Sequence, residues 1–202
     1  MASNERYRSI LMFGGPGSGK GTQGVVLGQL PNLLHLAMGD IFRALDKQSD
    51  VGREFMSYST KGLLVPDELT IRVFRLHLDA LVTAGTLNRA LHTLILDGIP
   101  RTVAQVALLD GMIDIRRVLH LRMNDREGLI ARLAGRAKKQ NRLDDADRAV
   151  IENRIAVYER ETAPVLEALP RSLIVDINAD QPPLAVLRDI AAALVPHVPA
   201  VV

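Results

Sequence analysis

The sequence predicts an α/β fold in which five parallel strands form one sheet with helices on both faces. Three observations lead there. Five short runs are apolar at successive positions, as strands covered on both sides must be. Longer amphipathic stretches lie between them, and strand–helix alternation marks a parallel sheet. The first apolar run stops at a glycine-rich turn that opens a helix. In chain order, residues 10–13 are the first strand, halted by Gly14-Gly15. Residues 20–30 follow as a helix with Val25, Val26 and Leu30 as its apolar positions. Residues 33–38 are the second strand. Residues 39–67 are polar and helical in pattern, with no strand among them. A helix over 69–81 carries Leu69, Val73, Leu76, Leu78 and Leu81. Residues 94–96, closed by Asp97-Gly98, are the third strand, 118–121 the fourth and 173–177 the fifth. The last helix spans 184–194. In such a sheet a ligand sits beyond the carboxyl ends of the strands. Two connections, 39–67 and 132–147, are longer than a crossover needs, and long connections in a compact domain serve as lids or binding loops.

Composition narrows the function classes. A length of 202 residues suits a single domain with a sizeable core, and 48% hydrophobic content argues against disorder. With only seven aromatic residues, that core must be built from Leu, Ile, Val, Ala and Met. The absence of Cys excludes a disulfide scaffold, a thiolate zinc site and a catalytic thiol, and fits a reducing compartment. A net charge of +2, with no wholesale basic field, by itself argues neither for nor against a nucleic-acid partner, and none is expected. No stretch approaches the ~20 apolar residues of a membrane span, and the run before Gly14 is too short for a signal-peptide core. The expectation is a cytoplasmic protein, monomeric by default because no amphipathic stripe is left unassigned. The 25 basic residues divide into 20 Arg and 5 Lys. Codon bias accounts for such a ratio in general, yet Arg is also the residue that grips phosphate bidentately.

Gly14-Gly15-Pro16-Gly17-Ser18-Gly19-Lys20 fits G-x-x-x-x-G-K directly between a strand and a helix. That context separates a phosphate-binding loop from an ordinary glycine-rich turn. The backbone N–H groups and the helix N-terminus form an anion nest, and Lys20 can reach the β and γ phosphates. The position after Lys20, where such loops usually carry a hydroxyl for Mg²⁺, is Gly21, with Thr22 one place later. Magnesium would then rely on phosphate oxygens, water and a carboxylate such as Asp97.

The segment Gly14-Gly15-Pro16-Gly17-Ser18-Gly19-Lys20-Gly21-Thr22-Gln23 resembles the adenylate kinase family. Gly39-Asp40-Ile41-Phe42-Arg43 is similar to the family's T-G-D-x-x-R, and Gly62-Leu63-Leu64-Val65-Pro66-Asp67-Glu68 to its G-x-L-V-P-D-E. Leu96-Asp97-Gly98-Ile99-Pro100-Arg101-Thr102, with Gln105, is similar to L-D-G-F-P-R-T-x-x-Q. The resemblance spans essentially the whole chain. It implies a three-layer P-loop kinase fold in one domain, 1–202, with a helical NMP-binding insertion at about 38–67 and a short lid at about 133–147. It also implies a phosphotransferase that catalyses ATP + AMP ⇌ 2 ADP with Mg²⁺ as cofactor. By similarity the ATP site comprises Gly15, Gly17, Ser18, Gly19, Lys20, Gly21, Thr22, Arg132 and Arg136. The AMP site comprises Met38, Gly39, Arg43, Val65, Gly98, Arg101, Gln105, Arg142 and Arg154, with Gln105 on the adenine edge. Lys20, Arg101, Arg132, Arg142 and Arg154 are the implied catalytic set, and Asp97 orients the magnesium shell through water.

In the lid stretch, Asn124 and Glu127 are spaced as a capping pair for the helix carrying Arg132 and Arg136. Arg142-Leu143-Asp144-Asp145 is similar to R-x-D-D, whose carboxylates would orient the lid arginines. Each of these charges has a plain alternative as part of a solvated, salt-bridged helix. A zinc-bearing lid is excluded, with five residues between Arg136 and Arg142 and no Cys. The five His residues show no ligand spacing, and His35 and His120 fall in strand runs as core or crevice residues. Three positions depart from the pattern. Met38 stands where Thr is usual, Ile99 replaces Phe, and Arg142 to Arg154 is one residue longer, which turns a helix by ~100°. Two competing readings remain: a UMP/CMP kinase on the same fold, favoured by Met38 and opposed by Thr102 and Gln105, and a non-catalytic adenine-nucleotide sensor, opposed by retention of Lys20 and the arginines.

Overall fold

The computed structural model describes residues 6–140 and 147–197, with backbone alone for 136–140. Among the described residues, β1 (Tyr7–Phe13), β2 (Leu33–Ala37), β3 (Thr93–Asp97), β4 (Ile113–Arg122) and β5 (Ile174–Asn178) form one sheet. The order is β2-β3-β1-β4-β5, and every pairing is parallel. The centre falls to β1 because it is apolar on both faces. Leu11 and Phe13 point to one side, Ile10 and Met12 to the other, and none is more than 3% exposed.

Each face of the sheet carries its own core. On the first, Leu11, Phe13, Leu94, Leu96 and Val118 pack against Phe74 and Leu78 of α4 (Asp67–Thr83) and Leu109 of α5 (Val103–Leu109). On the second, Ile10, Met12, Ile95, Leu119 and Leu121 pack against Leu27 of α1 (Lys20–Leu27). Val186, Ile190 and Leu194 of α8 (Pro183–Leu194) complete that side. Two short helices, α2 (Met38–Arg43) and α3 (Asp50–Ser59), fill the connection from β2 to α4. A third apolar cluster stands apart from the sheet. Leu129, Ile130 and Leu133 of α6 (Arg126–Gln140) meet Ile151 and Ile155 of α7 (Arg148–Val157) there. A π-helical turn, Tyr158–Thr162, continues α7.

The architecture matches the sequence expectation, and the differences are local. Met38 begins α2 rather than ending a strand, and Leu173 belongs to a 3₁₀ turn. Strand β4 starts at Ile113, before the apolar run, because Asp114, Arg116 and Arg117 occupy its less covered half. Its pairing with β1 shifts register between Ser9 and Ile10. Helix α1 ends at Leu27, and the expected apolar positions Val25, Val26 and Leu30 are 57%, 42% and 51% exposed. The buried face is instead Gln23, Gly24 and Leu27. A Cβ on Gly24 would stand 2.3 Å from His35 Nε2, and one on Gly28 would stand 2.9 Å from His35 Cβ. Backbone approach to the imidazole, not an apolar stripe, sets the rotation of α1. On α4, Leu76 is likewise exposed, as is Leu184 at the start of α8. The N-terminus of α6 is capped by Asp125 Oδ1, which accepts from the Gly128 N–H at 2.9 Å. The backbone N–H of Asn124, the residue before it, donates to Asp180 Oδ2 at 3.1 Å.

Candidate active site

One cleft of about 1190 Å³ opens along the carboxyl ends of β1, β2 and β3. Gly14, Gly17, Ser18, Gly19, Lys20, Gly21 and Thr22 form its floor. Lys20 Nζ donates to the carbonyls of Gly14 at 2.6 Å and Gly15 at 3.0 Å, which stations the ammonium at the mouth of the loop. Gly17 has φ +85°, and a Cβ there would lie 3.1 Å from Leu129 O and 3.2 Å from Leu133 Cγ. The loop therefore needs glycine both for its turn and for its seat beneath α6. Gly15 does not line the cleft. It lies over the ring of Tyr158, whose burial pushes the phenol up to about 12.

One wall comes from the segment between β2 and β3 and from the loop after β3. Met38, Gly39 and Arg43 of α2 line it, with Val65, Thr70, Gly98, Arg101 and Gln105. Arg43 Nη2 pairs with Asp40 Oδ1 one turn back on α2. The peptide Ile99–Pro100 is cis. Arg101 Nε donates to Gly98 O at 3.1 Å, and its backbone N–H donates to Gln105 Oε1 at 2.7 Å. Gln105 Nε2 donates to Asp67 Oδ1 at 2.8 Å, and Thr102 Oγ1 donates to Asp67 Oδ2 at 3.0 Å. Thr102 also caps α5, accepting from the Gln105 N–H at 3.1 Å. This closed network holds an amide that is 1% exposed at the base of the wall. A buried polar group satisfied on several sides keeps one orientation. Phe42 and Phe55 stack with centroids 4.9 Å apart on the same wall.

The opposite wall carries Arg132 and Leu133 from α6 and Arg154 and Val157 from α7. It continues through Tyr158 to Ala179, Gln181, Pro183 and Val186 after β5. Gln23 ties the two regions together, its Nε2 donating to Pro183 O at 2.9 Å. Asp97, the last residue of β3, reaches the floor: a Cβ on Gly21 would be 3.8 Å from its Oδ2. Burial depresses the pKa of His35, and the charges of Asp97 and Asp40 offset this only in part. One carboxylate, that of Asp97, thus lies beside Gly21. No group of three or more His, Cys, Asp or Glu residues that could hold a metal occurs among the described residues. No histidine lines the cleft. His120 sits on β4, its Nδ1 2.8 Å from Asp176 Oδ1 on β5.

Of the residues singled out in the sequence, the cleft assembles Gly17 to Thr22, Met38, Gly39, Arg43, Val65, Asp97, Gly98, Arg101, Gln105, Arg132 and Arg154. Arg136 falls on α6, but its side chain, together with Arg142, Asp144 and Asp145, lies outside the described residues. Several contributors escaped the sequence reading. Asp67 was only a letter in a motif, though an acid in the first turn after Pro66 was a visible signal. Tyr158, one helical turn past Arg154, was another. Gln181 and Pro183 follow the last strand, where a ligand-binding loop belongs.

Comparison with known proteins agrees with this geometry. The adenylate kinase family model matches residues 12–172. An adenylate kinase of Cyanothece sp. is 41% identical over 166 residues, covering 78% of this chain and 80% of that protein. One from Flavobacterium psychrophilum is 37% identical over 164 residues, covering 78% and 82%. A Synechococcus sp. adenylate kinase is 35% identical over 192 residues, covering 92% and 95%. A phosphate loop between two arginine-bearing walls, a family model over most of the chain and relatives aligned along most of both lengths lead to one conclusion: the chain belongs to the adenylate kinase family.

Proposed function

We propose that the protein transfers the γ-phosphoryl group of ATP to AMP, reversibly, giving two molecules of ADP. The observation that carries this reading is that Lys20 stands between two walls of one cleft, each bearing arginines: Arg43 and Arg101 on one, Arg132 and Arg154 on the other. Two nucleotides bring four phosphates to a single place, and paired cationic walls suit that load. The acceptor half is the wall of α2, Val65, Gly98, Arg101 and Gln105, where the adenine edge of AMP meets the Gln105 amide. The base of ATP then falls to the remaining wall, between Arg132 and the stretch around Gln181 and Pro183. In this reading residues 38–67 are the NMP-binding insertion and 133–147 a short lid, with Arg136 and Arg142 adding to the phosphate side. Arg154 lines the cleft from α7, which supports the reading in which the extra residue between Arg142 and Arg154 sits near Ala146 and Arg154 keeps its role.

The chemistry asks for position and charge, not covalent catalysis. An oxygen of the AMP phosphate attacks Pγ, the bond to the β–γ bridging oxygen breaks, and the electron pair leaves on ADP. The attacking phosphate is already anionic, so no general base is needed. Lys20, Arg101, Arg132 and Arg154 spread the charge that develops on the transferred group. The Asp97 carboxylate beside Gly21 fits Mg²⁺, which favours carboxylate, phosphate and water oxygens. Asp97 would hold the ion through water, and the ion would neutralise phosphate charge. The protein is read as a cytoplasmic monomer. No helix of the described residues is long and apolar enough to cross a membrane.

Met38 is 2% exposed and lines the acceptor wall, so the choice of base deserves a direct test. A coupled assay of ADP formation from ATP with AMP, CMP, UMP or GMP decides it. AMP is expected to be the preferred acceptor. Preference for CMP or UMP would make the protein a pyrimidine kinase, and no turnover with any acceptor would make it a nucleotide sensor.

A further inference from the structure

We propose that Asn153 and Gly62 form a clasp that positions Arg154 and ties the acceptor wall to α7. Three contacts carry it. Asn153 Nδ2 donates to the Lys61 carbonyl at 2.6 Å across 92 positions of sequence. Gly62 has φ +68°, and a Cβ there would lie 2.8 Å from Arg154 Cγ and 3.0 Å from Val150 O. The loop backbone therefore lies directly on the helix, and glycine alone both adopts this turn and fits the gap. The aliphatic stem of Arg154 is confined between its own helix and that loop.

The same loop runs on to the acceptor site. Val65 lines the wall, and Asp67, two residues later, holds Gln105 and Thr102. One short backbone segment thus joins Arg154 on α7 to the buried amide on α5. Asn153 is not among the residues that line the cleft, so it acts as a positioning residue and not as a catalytic one. Stability of α7 rests elsewhere, on the cluster of Ile151 and Ile155 with Leu129, Ile130 and Leu133. Losing the clasp should therefore leave the fold intact, loosen the acceptor wall and misplace Arg154, which lowers kcat, while the ATP base keeps its place between Arg132 and the stretch around Gln181 and Pro183.

This inference rests on the assignment of that wall to AMP, and the experiment separates the two. Wild type, Asn153→Leu and Asn153→Gln are compared for KM of each nucleotide, kcat and melting temperature. Asn153→Leu keeps the size of the side chain and loses its donor. It is expected to raise KM for AMP roughly 3–10-fold, the cost of one hydrogen bond, with KM for ATP within about twofold. Asn153→Gln, which retains the donor, is expected to recover part of the loss. An unchanged KM for AMP, or an equal rise in both KM values, overturns the clasp. If wild type itself fails to phosphorylate AMP, the functional assignment falls, and the clasp is then read without substrate. Amide hydrogen exchange at Gly62 and Leu63 should be faster in Asn153→Leu, and unchanged exchange overturns it. Asn153→Ala, which lacks the same donor, serves the same comparisons should the leucine variant not fold.

Discussion

Single side chains around the phosphate loop are held with little room to spare. Lys20 Nζ sits on the carbonyls of Gly14 and Gly15, and Arg101 is anchored through Gly98 and Gln105. Removing either charge should leave the fold unchanged and the transfer crippled. Lys20→Ala and Arg101→Ala are each expected to lower kcat by roughly 10²–10⁴-fold in the coupled assay, the scale seen for cations on a transferring phosphoryl group. Turnover near wild type in either variant would contradict the assigned roles. Beneath the loop, Gly24 is a test of space rather than charge. A Cβ there would meet His35 Nε2 at 2.3 Å, so Gly24→Ala should destabilise the protein by about 1–3 kcal/mol. In the double variant with His35→Ala most of that cost should vanish, and additive losses would show that the contact is not the cause. His35 also titrates. Burial holds its pKa below the ordinary 6.5 against the opposing charges of Asp97 and Asp40. As pH falls through about 6.5 the unfolded chain takes up the proton first, so stability is complete above that pH and declines below it. The melting temperature should fall between pH 7 and pH 5, and less steeply in His35→Gln. His77 and His120, also depressed by burial, contribute the same sign and remain in the variant.

Helix α5 shows how one element serves stability and site together. Thr102 caps it, accepting from the Gln105 N–H, and its hydroxyl donates to Asp67. Thr102→Val keeps the shape and loses both bonds. A cost of about 1–2 kcal/mol is expected, a fall in melting temperature of roughly 3–6 °C, with a higher KM for AMP because Gln105 loses part of its support. Thr102→Ser should restore both readouts, and an unchanged melting temperature would mean the cap carries no load. The elements themselves were readable from sequence where their determinants are local. The apolar runs located every strand, and the glycine-rich turn located α1 and the floor of the cleft. What escaped was set at a distance. The rotation of α1 depends on His35 meeting Gly24 and Gly28, so Val25, Val26 and Leu30 looked like a buried stripe and are exposed. Asn124 looked like the cap of α6, but Asp125 Oδ1 accepts from the Gly128 N–H, while the Asn124 N–H donates to Asp180, 56 positions away. Asp67 meets Gln105 across 38 positions, a separation that no local pattern reports.

At the scale of the whole molecule, the cleft walls differ in how they are attached. The wall bearing Arg43 and Arg101 packs into the first sheet core through Met38, Phe42 and Phe55, and is tied through Asp67 to α5 and through the Lys61 carbonyl to α7. Helices α6 and α7 share an apolar cluster of their own, joined to the second sheet core through Met123. That cluster can move as a unit with less repacking than either sheet core would need. Phosphoryl transfer must exclude water, or ATP would pass its phosphoryl group to solvent instead of to AMP. A cleft of about 1190 Å³, open along its length, has to narrow around the two substrates for that to happen. Closure is therefore expected to narrow the gap between the two arginine-bearing walls above the phosphate loop. Two adenosines joined by five phosphates would bridge both halves and hold the closed form. On saturation with that compound, the radius of gyration from small-angle scattering should shrink by on the order of 1 Å from the ~16–17 Å of a compact chain of this length. ATP analogue alone or AMP alone should give a smaller change, since neither spans the walls. An unchanged scattering curve with the bridging compound bound would show that the cleft excludes water without closing, and would leave the long connections without the gating role argued for them.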